Sequence, residues 1–293
     1  TTMSNFFNTA VPLSELAKIL QLEVDHSIKD IHINAVSDSN APVNNSICDY
    51  IKGPLPEQID NLILLTKDNI DGYTCILVDN PQESIVKVIN HIESTIGFHQ
   101  KYANSQIPAS VKIGKNVVIE DNVEIGENTI IEHNVVIHSG TKIGQNCFIR
   151  THSSIGGDGF GFFRDGQNKL VKQPHLGGVT IGDNVEIGSN TCVVRGIVND
   201  TTIGNHTKVD NLVHIAHDCQ IGEENFITAC AELSGYVTIG NKTSIAPNTC
   251  IKQRTNLGDN IIVGMGAVIL KDVEDKAVMI GNPAKPLRKF SQK

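Results

Sequence analysis

One segment of the chain combines histidine and aspartate in a pattern suited to acid–base chemistry. It reads Asp210-Asn211-Leu212-Val213-His214-Ile215-Ala216-His217-Asp218. If Ile215 faces a core, His214 points outward from the same strand and His217 falls at the following corner. A corner imidazole titrates near neutral pH and can take a proton from an attacking amine, while Asp210 or Asp218 could orient it. The segment is compatible with a general base, but a lone surface histidine is usually idle, so the pattern alone leaves both interpretations open.

A second segment has the composition of a ligand-binding loop. Residues 157–178 read GDGFGFFRDGQNKLVKQPHLGG. Glycines let a backbone approach a ligand closely, and Phe160, Phe162 and Phe163 offer aromatic faces. The length of the segment favours a functional loop over a surface loop packed by its own phenylalanines.

Both segments belong to a region with a six-residue repeat. The histidine segment lies within the repeat, and residues 157–178 interrupt it. From Ile107 onward, triplets such as VKI, VVI and VEI recur every six residues. The third residue of each triplet is aliphatic throughout: Ile113 to Ile155, then Ile181 to Val193, then, after a slip of four residues, Ile203 to Ile269. A period of six does not fit a helix, and the β-branched triplets alternate with Gly, Asn and Asp, which form turns. The pattern predicts short strands joined by tight corners, three to a coil, stacked as a parallel β-helix.

The chain before the repeat has a different pattern. A helix is predicted near Leu13 to Leu20, apolar runs cover Leu62 to Leu65 and Cys75 to Val78, and Asn80-Pro81 marks the start of a second helix. We therefore divide the chain into a small α/β domain at 1–103, a β-helix at 104–270 with an insertion at 157–178, and a basic tail at 271–293. The first domain could bind substrate or cap the solenoid.

Composition narrows the class of protein. The 293 residues carry a formal net charge of −8, which gives no global attraction to nucleic acid or anionic membranes. The 7 cysteines are scattered without CxxC spacing, and no apolar run is long enough for a signal peptide or a membrane span. These features favour a cytoplasmic protein with no nucleic-acid partner.

The motifs DGFGF, KQPHLG, IGDNVEIG, RGIVNDT and DNLVHIAHD occur in an order and spacing that resemble one family. That family is the UDP-3-O-(3-hydroxyacyl)glucosamine N-acyltransferases of lipid A biosynthesis, and the resemblance covers roughly residues 107 to 270. It implies a left-handed helix, a homotrimer with active sites between neighbours, and no bound cofactor. It also implies that His217 is the general base and that the Gly235 amide holds the oxyanion. Substrate-binding positions then fall on Asp158, Phe160, Phe162, His175, Asp210, Asn211 and Asp218.

The chain departs from this family at several positions. A donor-side histidine is replaced by Arg254, a glutamine by His175, and the aromatic pair that stacks on uracil by Asp49 and Leu55, although Tyr50 is adjacent. The ending, GMGAVILKDVEDKAVMIGNPAKPLRKF, instead resembles that of acetyl-CoA-dependent sugar acetyltransferases. Its basic residues, with Lys285 and Arg288 as candidates, could bind the phosphates of a thioester carrier. Arg254, at the position of the family's donor-side histidine, is the third donor-binding candidate.

The sequence thus favours an N-acyltransferase that moves an acyl group from acyl-CoA, such as acetyl-CoA, or from an acyl carrier protein, to a nucleotide-activated amino sugar. The alternative within this class is the lipid A enzyme itself. Two other readings stay open. His133 and His138 have a spacing found in γ-class carbonic anhydrases, although a third zinc ligand is missing. A non-enzymatic solenoid would not need the histidine segment, the glycine loop and the basic tail together.

Overall fold

The computed structural model describes residues 5–22, 28, 30–39, 41–51, 55–99 and 104–289. The chain divides into two compact units. The first contains residues 1–100, 160–176 and 197–199, and the second contains residues 101–159, 177–196 and 200–293. Most of the loop with the glycine and phenylalanine residues therefore clusters with the N-terminal residues, although the chain enters it from the repeat.

The first unit is a five-stranded sheet with helices and a hairpin. The sheet runs in the order β1-β2-β3-β4-β5, with β1 antiparallel to β2 and the others parallel. Asn80 caps α2, because its side chain accepts a hydrogen bond of 3.3 Å from the Glu83 amide, and this confirms the predicted helix start. The elements are β1 Phe6–Pro12, α1 Leu13–Ile19, β2 His32–Val36, β3 Ser46–Asp49, β4 Leu62–Thr66, β5 Thr74–Leu77, α2 Pro81–Thr95, and the hairpin β14 Phe162–Arg164 with β15 Leu170–Lys172.

The second unit is a stack of triangular coils, and each side of the triangle is a sheet of parallel strands, apart from the last strand of one side. Face I comprises β6 Lys112–Ile113, β9 Ile130–Ile131, β12 Phe148–Ile149, β17 Glu186–Ile187, β20 Lys208–Val209, β23 Phe226–Ile227, β26 Ser244–Ile245, β29 Ile262–Val263, β31 Ala277–Ile280 and β32 Lys285–Lys289. Face II comprises β7 Val118–Ile119, β10 Val136–Ile137, β13 Ser154–Gly157, β18 Cys192–Val194, β21 His214–Ile215, β24 Glu232–Leu233, β27 Cys250–Ile251 and β30 Val268–Ile269. Face III comprises β8 Glu124–Ile125, β11 Thr141–Ile143, β16 Val179–Ile181, β19 Thr201–Ile203, β22 Gln220–Ile221, β25 Thr238–Ile239 and β28 Asn256–Leu257.

The predicted register is confirmed along almost the whole stack. From Ile125 onward the aliphatic residue of each triplet is buried, and the series packs into one continuous core. Two earlier members differ: Ile119 is half-buried, and Ile113 is 47% exposed. It lies in the first coil of the stack, where a neighbouring coil covers one side only, so the repeat pattern predicted the position of this residue correctly but not its burial.

The corners are built from residues with left-handed backbone conformation. Asparagine occupies many of them, including Asn116, Asn128, Asn146 and Asn184, with φ between 55° and 59°. Asparagine tolerates this conformation better than other residues with a side chain, which explains why it punctuates the repeat. Other residue types take the same conformation at equivalent corners, and three of them, Asp218, Tyr236 and Arg254, lie in the candidate site.

The C-terminal residues close face I. Strand β31 continues the parallel stack on β29, and β32 turns back to pair antiparallel with β31. The tail therefore begins as a structured hairpin. Within the described part of the chain, neither α1 nor α2 has the length and apolar composition needed to cross a bilayer.

Candidate active site

His217 lies at the corner between faces II and III. Its Nδ1 is 2.9 Å from the Asp218 Oδ2, and the side chains of His217 and Asp218 are 18% and 5% exposed. A carboxylate at Nδ1 keeps a proton on that nitrogen, so Nε2 carries the lone pair that a general base needs. Of the two aspartates that the sequence offered as orienting groups, Asp218 makes this contact.

The corner positions these groups because equivalent residues of successive coils stack on one another. The Tyr236 amide donates to the His217 carbonyl at 3.0 Å, and the Arg254 amide donates to the Gly235 carbonyl at 3.0 Å. His217 and Gly235 are therefore equivalent in consecutive coils, as are Asp218, Tyr236 and Arg254. Backbone hydrogen bonds between coils thus fix the spacing of the site.

Gly235 lies directly against the imidazole of His217. A Cβ atom at this position would be 2.5 Å from Cε1 and 2.7 Å from Nε2 of His217. Because such distances are far below van der Waals contact, any side chain here would displace the ring. The absence of a side chain at 235 lets the imidazole pack directly against the backbone of this corner.

Tyr236 and Arg254 extend the cluster, and the sequence analysis did not identify Tyr236. The ring of Tyr236 meets His217 edge to face at 5.2 Å between centroids, and the Arg254 guanidinium carbon lies 4.1 Å from the Tyr236 centroid. This cation–π contact holds a positive charge one ring away from the histidine. Tyr236 follows Asp218 by one coil, so the coil spacing alone was the signal that could have found it.

Asp210 and Asn211 lie at the other edge of face II, at the corner with face I. Their polar atoms take part in local bonds: Asp210 Oδ1 accepts from the Asn211 amide, and Asn211 Oδ1 accepts from the Ser189 amide, both at 2.7 Å. They line a cleft of about 330 Å³ together with Arg150, Glu186, Lys208, Phe226 and Thr228. The width of face II therefore separates them from His217 within one chain.

The remaining predicted residues occupy separate places. Asp158 is exposed at the end of the second unit's segment 101–159. In the first unit, Phe160 is 89% and Phe162 is 46% exposed, with ring centroids 5.0 Å apart, whereas His175 is buried with Nδ1 3.0 Å from the Gln173 carbonyl. Lys285 begins β32, and the Arg288 backbone pairs with Val278 in the same hairpin.

The histidines considered for zinc make other contacts. His133 Nδ1 accepts the Lys115 amide at 2.7 Å, and His138 Nδ1 lies 3.1 Å from the Glu120 Oε1. Across the residues that the structure describes, no set of three or more His, Cys, Asp or Glu side chains is arranged to hold a metal ion.

Comparison with known protein families identifies the six-residue repeat as a hexapeptide repeat of transferases. The family described as bacterial transferase hexapeptide (six repeats) matches residues 122–157 and 200–235, and the hexapeptide repeat of succinyl-transferase matches 178–211 and 236–271. The left-handed parallel β-helix of hexapeptide repeats, with its small α/β domain, is thereby confirmed as the fold.

Several curated proteins are similar over part of the repeat. UDP-3-O-acylglucosamine N-acyltransferase of Coxiella burnetii is 40% identical over 114 residues, which are 39% of this chain and 33% of the relative. The enzyme of the same name from Bordetella parapertussis is 36% identical over 121 residues, 40% of this chain and 33% of the relative. The matched region thus spans about a third of the length of these relatives.

Solved structures extend the similarity to more of the chain. LpxA from Acinetobacter baumannii superimposes with a TM-score of 0.58 at 28% identity, covering 65% of this chain and 73% of the other. UDP-N-acetylglucosamine acyltransferase from Francisella novicida superimposes with a TM-score of 0.50 at 28% identity, covering 65% and 70%. The β-helix of this chain therefore contains hexapeptide repeats and is similar over part of its length to UDP-3-O-acylglucosamine N-acyltransferases, the similarity that its motifs predicted.

Proposed function

We propose that this protein transfers an acyl group from a thioester to the amine of a nucleotide-activated amino sugar. The observation that carries the proposal is the His217–Asp218 pair, 2.9 Å apart, with the backbone of Gly235 directly against the imidazole. The names of the relatives, which describe N-acyl transfer to a UDP-sugar, support the same reaction class.

The proposed chemistry follows from this geometry. The amine of the sugar attacks the thioester carbonyl as His217 Nε2 removes its proton, and Asp218 stabilises the imidazolium that forms. The Gly235 amide holds the oxyanion, a role that the family resemblance assigns to it. Collapse of the tetrahedral intermediate releases the thiol. No bound cofactor and no covalent enzyme intermediate are required.

The acyl donor is an acyl-CoA or an acyl carrier protein thioester. Arg254 is exposed and carries a fixed positive charge beside Tyr236, so it suits the phosphates that both donors contain. Lys285 and Arg288 remain candidate donor contacts through the charge of the tail. The sugar contacts proposed for Asp158, Phe160, Phe162 and His175 rest on the resemblance.

A homotrimer is part of the proposal. Asp210 and Asn211 line the cleft at one edge of face II, whereas His217 lies at the other edge. If neighbouring chains meet along this face, the cleft of one chain can approach the base of the next. Such an arrangement would use both sets of residues in one shared site, in a protein proposed to act in the cytoplasm.

The decisive experiment measures thiol release by the purified full-length protein. Acetyl-CoA, longer acyl-CoAs and a hydroxyacyl carrier protein are tested against UDP- and dTDP-amino sugars and the UDP-3-O-acylglucosamine precursor. Release with acetyl-CoA and another nucleotide amino sugar would indicate surface-glycan synthesis. Release restricted to the hydroxyacyl carrier protein and the precursor would indicate the lipid A enzyme proper.

His217→Ala is the matching variant. We expect kcat to fall by a factor on the order of 10² to 10⁴, the usual contribution of a general base, with an unchanged melting temperature. His206→Asn is the control, because His206 is an exposed corner histidine with φ of 61°, a conformation that asparagine adopts readily. An undiminished rate in His217→Ala would reject the assignment.

A further inference from the structure

Three side chains lie near the edge of the β-helix that carries His217, but earlier in the chain. They form a line of hydrogen-bond contacts. Glu120 Oε1 lies 3.1 Å from Nδ1 of His138, and Nε2 of His138 lies 3.4 Å from Oγ of Ser154. Glu120 and His138 directly follow β7 and β10, and Ser154 begins β13, so the three belong to consecutive coils. None of them belongs to the His217 cluster.

The carboxylate is fixed on the side of the ring away from the serine. Glu120 Oε2 also accepts the Ser139 amide at 2.9 Å, so the two carboxylate oxygens bind consecutive residues of the next coil. This amide is the main cause that lowers the pKa of Glu120, with His138 and Arg195 contributing. An ionised carboxylate at Nδ1 holds the ring proton there and leaves the Nε2 lone pair facing the hydroxyl of Ser154.

Arg195 ties together the two segments that carry the histidine and the serine. Its Nε donates to the Gly156 carbonyl at 2.8 Å, and its Nη2 donates to the Ser139 carbonyl. Ser139 follows His138, and Gly156 lies two residues after Ser154. One guanidinium therefore fixes the backbone beside both groups and places a positive charge next to them.

Two consecutive glycines lie beside the serine and the imidazole. Gly156 has φ of 84°, a conformation that glycine adopts without strain, and a Cβ there would collide with Thr141 Oγ1. A Cβ at Gly157 would lie 3.3 Å from His138 Nε2, so a side chain would crowd the nitrogen that faces Ser154.

We propose that Ser154 and His138, positioned by Glu120, form a second reactive centre that hydrolyses small acyl esters or thioesters. The arrangement has the connectivity of a serine-hydrolase triad: nucleophile to Nε2, and Nδ1 to carboxylate. Contacts of this kind are commonly long in the absence of substrate and shorten when it binds. The centre is independent of the acyl transfer proposed for His217.

The reaction balances without a further reagent. The Ser154 oxygen bonds to the carbonyl carbon while its proton passes to His138 Nε2. The bond from carbon to the leaving oxygen or sulfur then breaks, and the leaving group takes that proton. Water next attacks the acyl-serine, again giving a proton to His138, and the acid is released as the serine regains its hydrogen. Arg195, which holds the backbone beside both groups, would stabilise the developing oxyanion by its positive charge.

The exposure of the His138 and Glu120 side chains indicates the size of the substrate. Within one chain the side chains of His138 and Glu120 are 29% and 45% exposed, so the chain's own residues do not enclose the centre. Short acyl groups, such as acetyl, on an alcohol or thiol leaving group suit this surface.

The direct test is covalent labelling of the full-length protein with a fluorophosphonate, followed by peptide mass spectrometry. We expect the adduct on Ser154, and Ser154→Ala should lose both the adduct and p-nitrophenyl acetate hydrolysis, by a factor on the order of 10² or more. Ser244→Ala, an outward serine on β26, should retain both. Labelling needs no variant to fold, so wild-type protein without an adduct on Ser154 overturns the proposal.

Two further variants separate this centre from the transferase site. His217→Ala should keep the adduct and the esterase rate; an esterase rate lost in His217→Ala but kept in Ser154→Ala overturns the proposal. Glu120→Gln tests positioning, and we expect kcat for the ester to fall at least about tenfold with KM unchanged. If Glu120→Gln changes only the melting temperature and retains kcat, Glu120 has a structural role alone. That result would overturn the proposal that Glu120 positions His138.

Discussion

At the scale of single residues, the candidate site depends on the missing side chain at Gly235 as much as on the side chains of His217 and Asp218. The imidazole of His217 is held by Asp218 on one side, and on another it faces the bare backbone of Gly235. Because the ring lies this close to the backbone, it must move if a side chain is added at 235. The glycine therefore controls the position of the base as well as supplying the proposed oxyanion contact.

Gly235→Ala tests this role. The added methyl group would lie 2.5 Å from the His217 ring, so we expect the ring to move and kcat to fall on the order of 10²-fold, because small displacements of a reacting group have large effects on rate. Circular dichroism should show an unchanged fold and a small change in melting temperature. An active Gly235→Ala variant would show that the ring can be displaced without cost to the reaction.

The sequence predicted part of this cluster. His217 and Gly235 were identified from motifs, and the coil spacing explains why they meet. Asp210 and Asp218 could not be told apart, because both flank the segment and only the side-chain directions at the corners decide which one reaches Nδ1. The contact of Arg254 with Tyr236 was not predicted, since it depends on the rotamers of two long side chains.

At the scale of secondary-structure elements, the corners carry much of the specificity of the fold. The chain must bend sharply after each short strand, and at most corners a left-handed residue makes this bend. For residues other than glycine and asparagine, this conformation costs about 1–2 kcal/mol. The stack of backbone hydrogen bonds between coils holds the strained residues in place.

The free-energy cost of the left-handed conformation can be measured at Asn146. It is exposed, has φ of 56°, and its amide donates to the Glu127 carbonyl at 2.9 Å in a bond that any residue but proline can make. We expect Asn146→Ala to lower the free energy of unfolding by about 1 kcal/mol and Asn146→Gly to lower it less. Denaturant midpoints of the two variants provide the comparison; equal midpoints would contradict the argument.

The elements of the repeat were more predictable than those before it. A six-residue period fixes each strand locally, so the register could be read directly from the sequence. In the first unit, α1, β4, β5 and α2 matched predicted segments, whereas β1, β2 and β3 were not identified as strands from the residue pattern. Their sequences mix polar and apolar residues, and they are strands because distant segments pair with them.

At the scale of the whole molecule, the three faces of the β-helix differ in chemistry. The outward residues of face III are polar: Glu124, Lys142, Thr180, Thr202, Gln220, Thr238 and Asn256. Face I exposes Phe226 and Ile262, which are 57% and 38% exposed, and face II exposes Val118 at 52%. Exposed apolar side chains on two adjacent faces suit contact with other copies of the chain, while face III suits solvent.

We therefore expect the full-length protein to sediment with three times the mass of one chain. Burial of apolar side chains such as Phe226 is the driving force, and the threefold arrangement follows the family resemblance. Sedimentation equilibrium over a range of concentrations measures the assembly directly. A monomer at all concentrations would remove the shared site, although the His217 pair would still be present in each chain.

The hairpin that ends face I also sets how long the solenoid can be. A parallel stack has no inherent last member, because each new coil presents the same edge that the previous coil offered. Strand β32 runs in the opposite direction, carries Lys285 and includes Pro286, whose nitrogen cannot donate a hydrogen bond. The hairpin thus ends the parallel pairing on face I and discourages end-to-end association of solenoids into fibrils.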